Sequence, residues 1–375
     1  MNIVLFIIDT LRYDYIGAHG NDWIETPNLD RLAAGSMIFD RAFSASFPTI
    51  PHRTDVQTGK YGGPFHTWMP LPFDWPTAPR LLADAGYCTQ LIHDTPHLVN
   101  GGHNFDWPFH AWTFVRGAEV DRPWIDDATH WPENWCRDPL CDGLAPEDKS
   151  HWGNLPTYVR ANRKRKAADD WNCARLFSTV ADFFQDNKSR DNFFLWVDCF
   201  DPHEPWDAPP DLVCTYDRTE GYDGRIDPRF FGLRNHKDLP EAGRKRVAAH
   251  YAAKVSLVDR EIGKALDALE STGLAKHTAV LLTADHGTNV GERGRFGKGV
   301  PVRQQEAHVP MLVRVPDGPT GRSQALVQPQ DVFATILGLG GVPVPGALDC
   351  RDMLALAREQ AAPRDVALAS TAAGA

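Results

Sequence analysis

Short apolar runs alternate with longer amphipathic stretches along this chain. Residues 3–8, 88–93, 192–197, 279–283 and 311–315 form the runs. Near-continuous apolar segments of that length, bounded by polar residues, predict strands buried on both faces. Between them, Val247, Tyr251, Val255, Val258, Ile262, Leu266 and Leu269 recur every three or four residues. That period predicts a long helix starting after Pro240 and closing at Gly273. A second helix is predicted over 168–185, with Leu176, Val180 and Phe183 on its apolar face. A third is predicted over 331–337, following Pro329. Strands alternating with helices predict an α/β fold with a largely parallel sheet covered on both faces.

Two stretches break the alternation. Residues 100–156 hold Trp107, Trp112, Trp124, Trp131, Trp135 and Trp152 among many prolines, and 205–240 are rich in Pro, Gly, Tyr and Asp. Long ordered loops usually serve as lids or pocket walls. The basic run Arg160, Arg163, Lys164, Arg165 and Lys166 is expected to be the solvated start of a helix. At about 150 residues per domain, 375 residues fit one large α/β domain with insertions as well as two domains. The expected organisation is a body over 1–320, carrying insertions at about 100–156 and 205–240. A short C-terminal segment, 321–375, completes or flanks it.

Composition narrows the function classes. With 42% hydrophobic and 23% charged residues, the chain can bury a sizeable core, which excludes global disorder. A net charge of −10 argues against a nucleic-acid partner held by phosphate neutralisation. An anionic substrate stays open, because a bound cation reverses the local field. No stretch approaches 18 uninterrupted apolar residues, so no membrane partner is expected. The first apolar run lacks the basic lead and small-residue cleavage site of a signal peptide, so a cytoplasmic location is expected. The seven scattered cysteines then read as reduced thiols. Cys136 and Cys141 near His130 could suggest zinc, but no second pair stands at ligand spacing.

Three predicted strands end alike: 3–8 in Asp9, 279–283 in Asp285 and His286, and 192–197 in Asp198, Asp201 and His203. In an open parallel sheet, ligands bind beyond the carboxyl ends of the strands. Any single Asp there reads equally well as a helix cap or turn residue. Three together are harder to explain that way. Oxygen ligands with one imidazole suit a divalent cation such as Mg²⁺, Ca²⁺, Mn²⁺ or Zn²⁺. In Thr49-Ile50-Pro51-His52-Arg53, Pro51 is expected as the first residue of a short helix. Thr49 would precede the helix N-terminus, where free N–H groups favour an alkoxide or bound oxyanion. Arg53 would point back from one turn on. A hydroxyl, a metal and an arginine are the parts for covalent displacement on a tetrahedral anion. On these residues alone, a plain N-cap is the simpler reading of Thr49.

The motifs also carry a resemblance. They are Ile8-Asp9-Thr10-Leu11-Arg12-Tyr13-Asp14, Thr26-Pro27-Asn28-Leu29-Asp30-Arg31-Leu32, and the Thr49 segment ending Thr58-Gly59-Lys60-Tyr61. Phe200-Asp201-Pro202-His203-Glu204-Pro205, Thr283-Ala284-Asp285-His286-Gly287, Gly297-Lys298 and Val309-Pro310 follow. In order and spacing the chain resembles the sulfatase branch of the alkaline phosphatase superfamily over essentially its whole length. The resemblance implies an alkaline-phosphatase-like fold, a mostly parallel central sheet between helices with a reduced C-terminal subdomain. It implies that Asp9, Asp285 and His286, joined by an oxygen of Thr49, bind one divalent metal. Thr49 stands at the nucleophile position, and Arg53 would stabilise the nucleophile and metal. Lys298 and His203 would contact the non-bridging oxygens and the leaving group.

Two departures shape the expected activity. Sulfatases convert a Cys or Ser at the motif to formylglycine, whereas Thr49 carries a methyl on Cβ and cannot become an aldehyde. It would attack as an unmodified alkoxide, as threonine does in nucleotide pyrophosphatase-like and phosphopentomutase-like members. A phosphothreonine can be hydrolysed by water, so the expectation leans to phosphate or phosphonate esters over sulfate esters. A phosphotransferase or mutase using the same threonine, and a non-catalytic anion-binding relative, are the alternatives. The second departure is Arg293, where many relatives carry His. It points to one tightly bound metal, with Asp201, His203 and His308 as the makings of a weaker second site. The expected partner is a small ester, an aryl or sugar derivative, and a homo-oligomer is compatible with the sequence.

Overall fold

The computed structural model describes residues 1–63, 65–124, 154–227 and 239–371. In chain order the strands are β1 (Asn2–Ile8), β2 (Met37–Ala42), β3 (Ser46–Phe47), β4 (Cys88–His93), β5 (Ala111–Phe114) and β6 (Phe193–Cys199). After them come β7 (Thr278–Thr283), β8 (Asn289–Val290), β9 (Phe296–Gly297), β10 (Met311–Arg314), β11 (Gly321–Val327) and β12 (Ser370–Thr371). The helices are α1 (Pro27–Ala34), α2 (Thr49–Thr58), α3 (Ala78–Asp84), α4 (Asn154–Asn162) and α5 (Asn172–Asp186). The later ones are α6 (Pro210–Tyr216), α7 (Glu241–Ser271), α8 (Gln304–Ala307), α9 (Gln330–Leu339) and α10 (Met353–Ala357).

Eight strands form the central sheet in the order β11-β2-β10-β7-β1-β6-β4-β5. β1 lies in its middle, every residue buried, as a strand apolar from Ile3 to Ile8 between two helical layers must be. It pairs in parallel with β6 and β7, Ile7 standing opposite Asp198 and Thr283. Helix α7 packs against α1, α5 and α6, while α9 packs against α2, α3 and α10. The result is the mixed α/β architecture expected from the alternation.

Several expectations need correcting. The run at 311–315 is a strand, but β10 lies antiparallel to both β7 and β2. Strands β2, β5 and β11 carry too little apolar periodicity to be flagged, and β5 lies inside the excursion at 100–156. The helix predicted over 168–185 starts at Asn172, because 168–170 form a separate single turn. The basic run closes a helix instead of starting one, with Arg160 in the last turn of α4 and the other four residues after it. Arg165 turns inward to an ion pair with Asp207. The candidate zinc residues His130, Cys136 and Cys141, with Trp131, Trp135 and Trp152, lie outside the described residues. Cys88, Cys173, Cys199, Cys214 and Cys350 are free. Among the described residues no helix is long and apolar enough to cross a membrane.

The segment after 320 is woven into the body. β11 pairs with β2 at the sheet edge, and β12 lies parallel to β3, just before α2. The Arg364 guanidinium pairs with the fully buried Asp331 at the start of α9.

Candidate active site

Adjacent parallel strands with a fixed register deliver their next residues to the same edge. β1 hands over Asp9 and β7 hands over Asp285 and His286. Thr10 turns the chain there at φ 65°. Its N–H donates to Asp285 Oδ1 (3.0 Å) and its hydroxyl donates to Asp9 Oδ1 (2.6 Å). The His286 N–H also donates to Asp285 Oδ1, at 2.8 Å. Asp9, Asp285 and His286 are fully buried and offer ligand atoms within 4.8 Å of one another. His286 Nδ1 bonds the Gly287 carbonyl at 2.9 Å, which leaves Nε2 buried without a hydrogen-bond partner.

The electrostatics fit a cation. Burial and the Asp285 charge push the Asp9 carboxyl up to about 7. Burial also opposes the Asp285 charge, but Arg53 holds that carboxyl well below its usual range. Burial pulls His286 down to about 4, so the imidazole is neutral with a free lone pair. Two crowded carboxylates and a neutral imidazole make a donor set for a divalent metal.

Helix α2 brings Thr49 and Arg53 to this edge. It begins at Thr49, with Pro48 as the flanking residue, and Pro51 takes the third helical position. Thr49 is therefore inside the first turn instead of ahead of it. The first three N–H groups of a helix have no partner within it, so a proline at the third position still costs no helical bond. Arg53 is wholly buried. Its Nε and Nη2 donate to Asp198 at 3.0 and 2.9 Å, and Nη2 reaches Asp9 at 3.2 Å. Its Nη1 donates to Asp285 and lies 3.5 Å from the Thr49 carbonyl oxygen. One guanidinium thus ties the start of α2 to β1, β6 and β7.

The sequence marks Asp198 only as one of several polar residues at a strand end. It is the bidentate anchor of Arg53, and it also accepts from Thr95 Oγ1 (2.6 Å) and Trp196 Nε1 (3.2 Å). The cue was available, since a carboxylate within an apolar run demands a buried cation.

A second cluster faces the first. His203 Nε2 lies 2.6 Å from Lys298 Nζ, and Lys298 donates to Glu204 Oε2 at 3.0 Å. His203 Nδ1 lies 2.8 Å from the Glu204 carbonyl oxygen and 3.1 Å from Glu119 Oε2. The charges of His203 and Lys298 both act on Asp9, so the two clusters form one electrostatic unit. His97 belongs to it too. Burial and the cationic side of His203 lower its pKa to about 3. The sequence reading missed His97 and Glu119. His97 stands as far beyond the end of β4 as His203 does beyond β6, so the strand-end rule could have found it. Glu119 sits in the excursion at 100–156, where no periodicity marks it. The weaker second set that Asp201, His203 and His308 could supply beside the one expected metal does not assemble. Asp201 is engaged by Lys254 at 2.6 Å, and His308 stacks on Tyr13 with its Nε2 2.9 Å from the Asp40 carbonyl oxygen.

The chain is similar to known proteins over most of its length. A family model described as Sulfatase matches residues 1–342. The arylsulfatase of Clostridium perfringens is 26% identical over 382 residues, covering 93% of this chain and 76% of that protein. Iduronate 2-sulfatase of Homo sapiens is 24% identical over 403 residues, covering 92% and 70%. In fold, the chain is similar to the phosphonate monoester hydrolase of Agrobacterium radiobacter, with a TM-score of 0.73 at 19% identity over 98% of this chain and 79% of that one. The phosphonate monoester hydrolase from Silicibacter pomeroyi gives 0.68 at 22% identity, over 97% and 78%.

Proposed function

The chain belongs to the sulfatase family of ester-hydrolysing enzymes, and from that premise we propose that it cleaves phosphate, phosphonate or sulfate esters through Thr49, preferring phosphorus esters. The observation that carries this reading is the Arg53 bridge, which fixes the buried Thr49 turn against Asp9 and Asp285. Asp9, Asp285 and His286 would hold the divalent metal, one of Mn²⁺, Ca²⁺, Mg²⁺ or Zn²⁺. When bound, such a cation supplies positive charge that favours an ionised nucleophile and the anionic transition state.

The residues then divide the work. The Thr49 oxygen forms a bond to phosphorus as the bond to the leaving oxygen breaks, and Arg53 and Lys298 offset the developing charge. His203 gives a proton to the departing oxygen. Water next cleaves the phosphothreonine, His203 takes that water's proton, and Thr49 departs as the alkoxide that opened the cycle. The phosphorus preference follows from Thr49 itself. Without an aldehyde, a sulfated threonine has no elimination route, while a phosphothreonine can be hydrolysed.

The test is turnover of an aryl sulfate, an aryl phosphate monoester, a diester and a phosphonate monoester with each metal. Thr49→Ala should cut kcat by at least about 10³-fold with metal content retained, and Thr49→Ser should keep part of the activity. Intact mass of the parent should show unmodified threonine. Undiminished turnover in Thr49→Ala would replace covalent attack with direct attack by water. Sulfate esters cleaved far better than every phosphorus ester would overturn the preference.

A further inference from the structure

An imidazole that delivers a proton through one nitrogen is oriented by whatever the other nitrogen bonds. For His203 that other nitrogen faces a buried acidic wall. Nδ1 lies 3.1 Å from Glu119 Oε2 and 3.2 Å from Glu204 Oε2, besides the Glu204 carbonyl oxygen. Glu204 Oε2 also accepts from Lys298, and Glu119 Oε2 is the nearer of the two carboxylate oxygens to Nδ1. The contact is tertiary, because Glu119 follows β5 and His203 follows β6. Phe200 stacks on the ring at 4.2 Å, and His97, Asp9 and His286 are the further titratable groups within electrostatic reach.

We propose that Glu119 is a positioning residue that holds His203 with Nδ1–H turned inward and Nε2 toward the leaving group, equipping the enzyme for esters of alcohols whose oxygen is too basic to depart unprotonated. This rests on the hydrolase reading above and narrows its substrate class to alkyl or sugar esters. The charge balance supports it. Lys298 and His203 face Glu119 and Glu204, with Asp9 also within electrostatic reach, so carboxylates surround the two nitrogens. Neutralising Glu119 removes one of the carboxylates that face two nitrogens 2.6 Å apart, and the imidazole, the weaker base, gives up its proton. Burial and Lys298 work against the imidazolium, and the two glutamates overcome them, raising the His203 pKa. The proton moves from Nε2 to the leaving oxygen as that bond breaks, and is replaced from the water that cleaves the Thr49 ester.

The experiment joins imidazole NMR titration to kinetics on the metal-loaded full chain, with His203→Gln assigning the resonance. In Glu119→Gln the His203 pKa should fall by about one pH unit or more, and the basic limb of the rate profile should move to lower pH with it. On a methyl ester kcat/KM should drop by about 10²-fold, against less than about tenfold on the p-nitrophenyl ester, whose leaving group needs no acid. Glu119→Asp should restore part of both. An unchanged His203 pKa, or equal losses on the two esters, overturns the proposal. A parent that turns over no ester at any metal would instead defeat the hydrolase reading, and the titration would still decide the role of Glu119.

Discussion

At the scale of single residues, Arg53 and Asp198 show how a buried charge is made tolerable. Both side chains are excluded from water, and every oxygen of Asp198 accepts two donors. Asp198→Asn turns one of those oxygens into an NH₂ that faces donors, and removes the charge opposite the guanidinium. Breaking such a pair costs about 3–5 kcal/mol. Asp9 and Asp285 still hold Arg53, which places the variant at the low end of that range. The helix start carrying Thr49 loses its aim, and displacement of about 1 Å can cost about 10²-fold in rate. Asp198→Asn should therefore lower both Tm and kcat with Thr49 intact. A variant matching the parent in both would show that Asp9 and Asp285 suffice.

At the scale of elements, the turn after β7 is decided by a close backbone approach. A Cβ on Gly287 would stand 2.0 Å from the Gln305 carbonyl oxygen and 2.9 Å from Arg12 Cγ, and backbone cannot yield as a flexible side chain does. The Gly287 carbonyl is also the acceptor that fixes His286. Gly287→Ala should thus weaken metal binding by about 10- to 100-fold in calorimetry, although no ligand atom is removed. Affinity equal to the parent would show that His286 keeps its aim without that carbonyl. The same turn explains part of what was legible. Asp285-His286-Gly287 stood out as polar residues closing an apolar run. The clash that requires glycine depends on residue 305, which the sequence places nowhere near it.

At the scale of the whole molecule, the chain returns at its end to support its beginning. α9 packs on α2, β12 pairs with β3, and Arg364 pairs with Asp331, whose carboxylate also accepts the N–H groups of Gln328 and Arg351. Arg364→Met keeps the bulk but leaves Asp331 buried without its cation, a loss of about 3–5 kcal/mol. The expected result is a Tm lower by several degrees, with kcat reduced through the loosened β3–α2 corner. If Tm falls while kcat holds, the C-terminal residues stabilise the fold without positioning Thr49.

The strands β1, β4, β6 and β7 and the helix α7 were legible because burial on one or both faces writes itself into the spacing of apolar residues. So were Asp9, Asp285 and His286, since each closes a strand and a parallel sheet sends strand ends to one edge. The sequence also determined that Thr49 is a hydroxyl that cannot become an aldehyde, a matter of covalent chemistry alone. Tertiary structure alone decided the antiparallel run of β10, whose apolar content is the same in either direction. It decided that Arg53 answers to Asp198, 145 positions away, and that Glu119 reaches His203 from a stretch without periodicity. Periodicity records whether a side chain meets water, and a buried ion pair is set instead by which two segments the sheet order brings together.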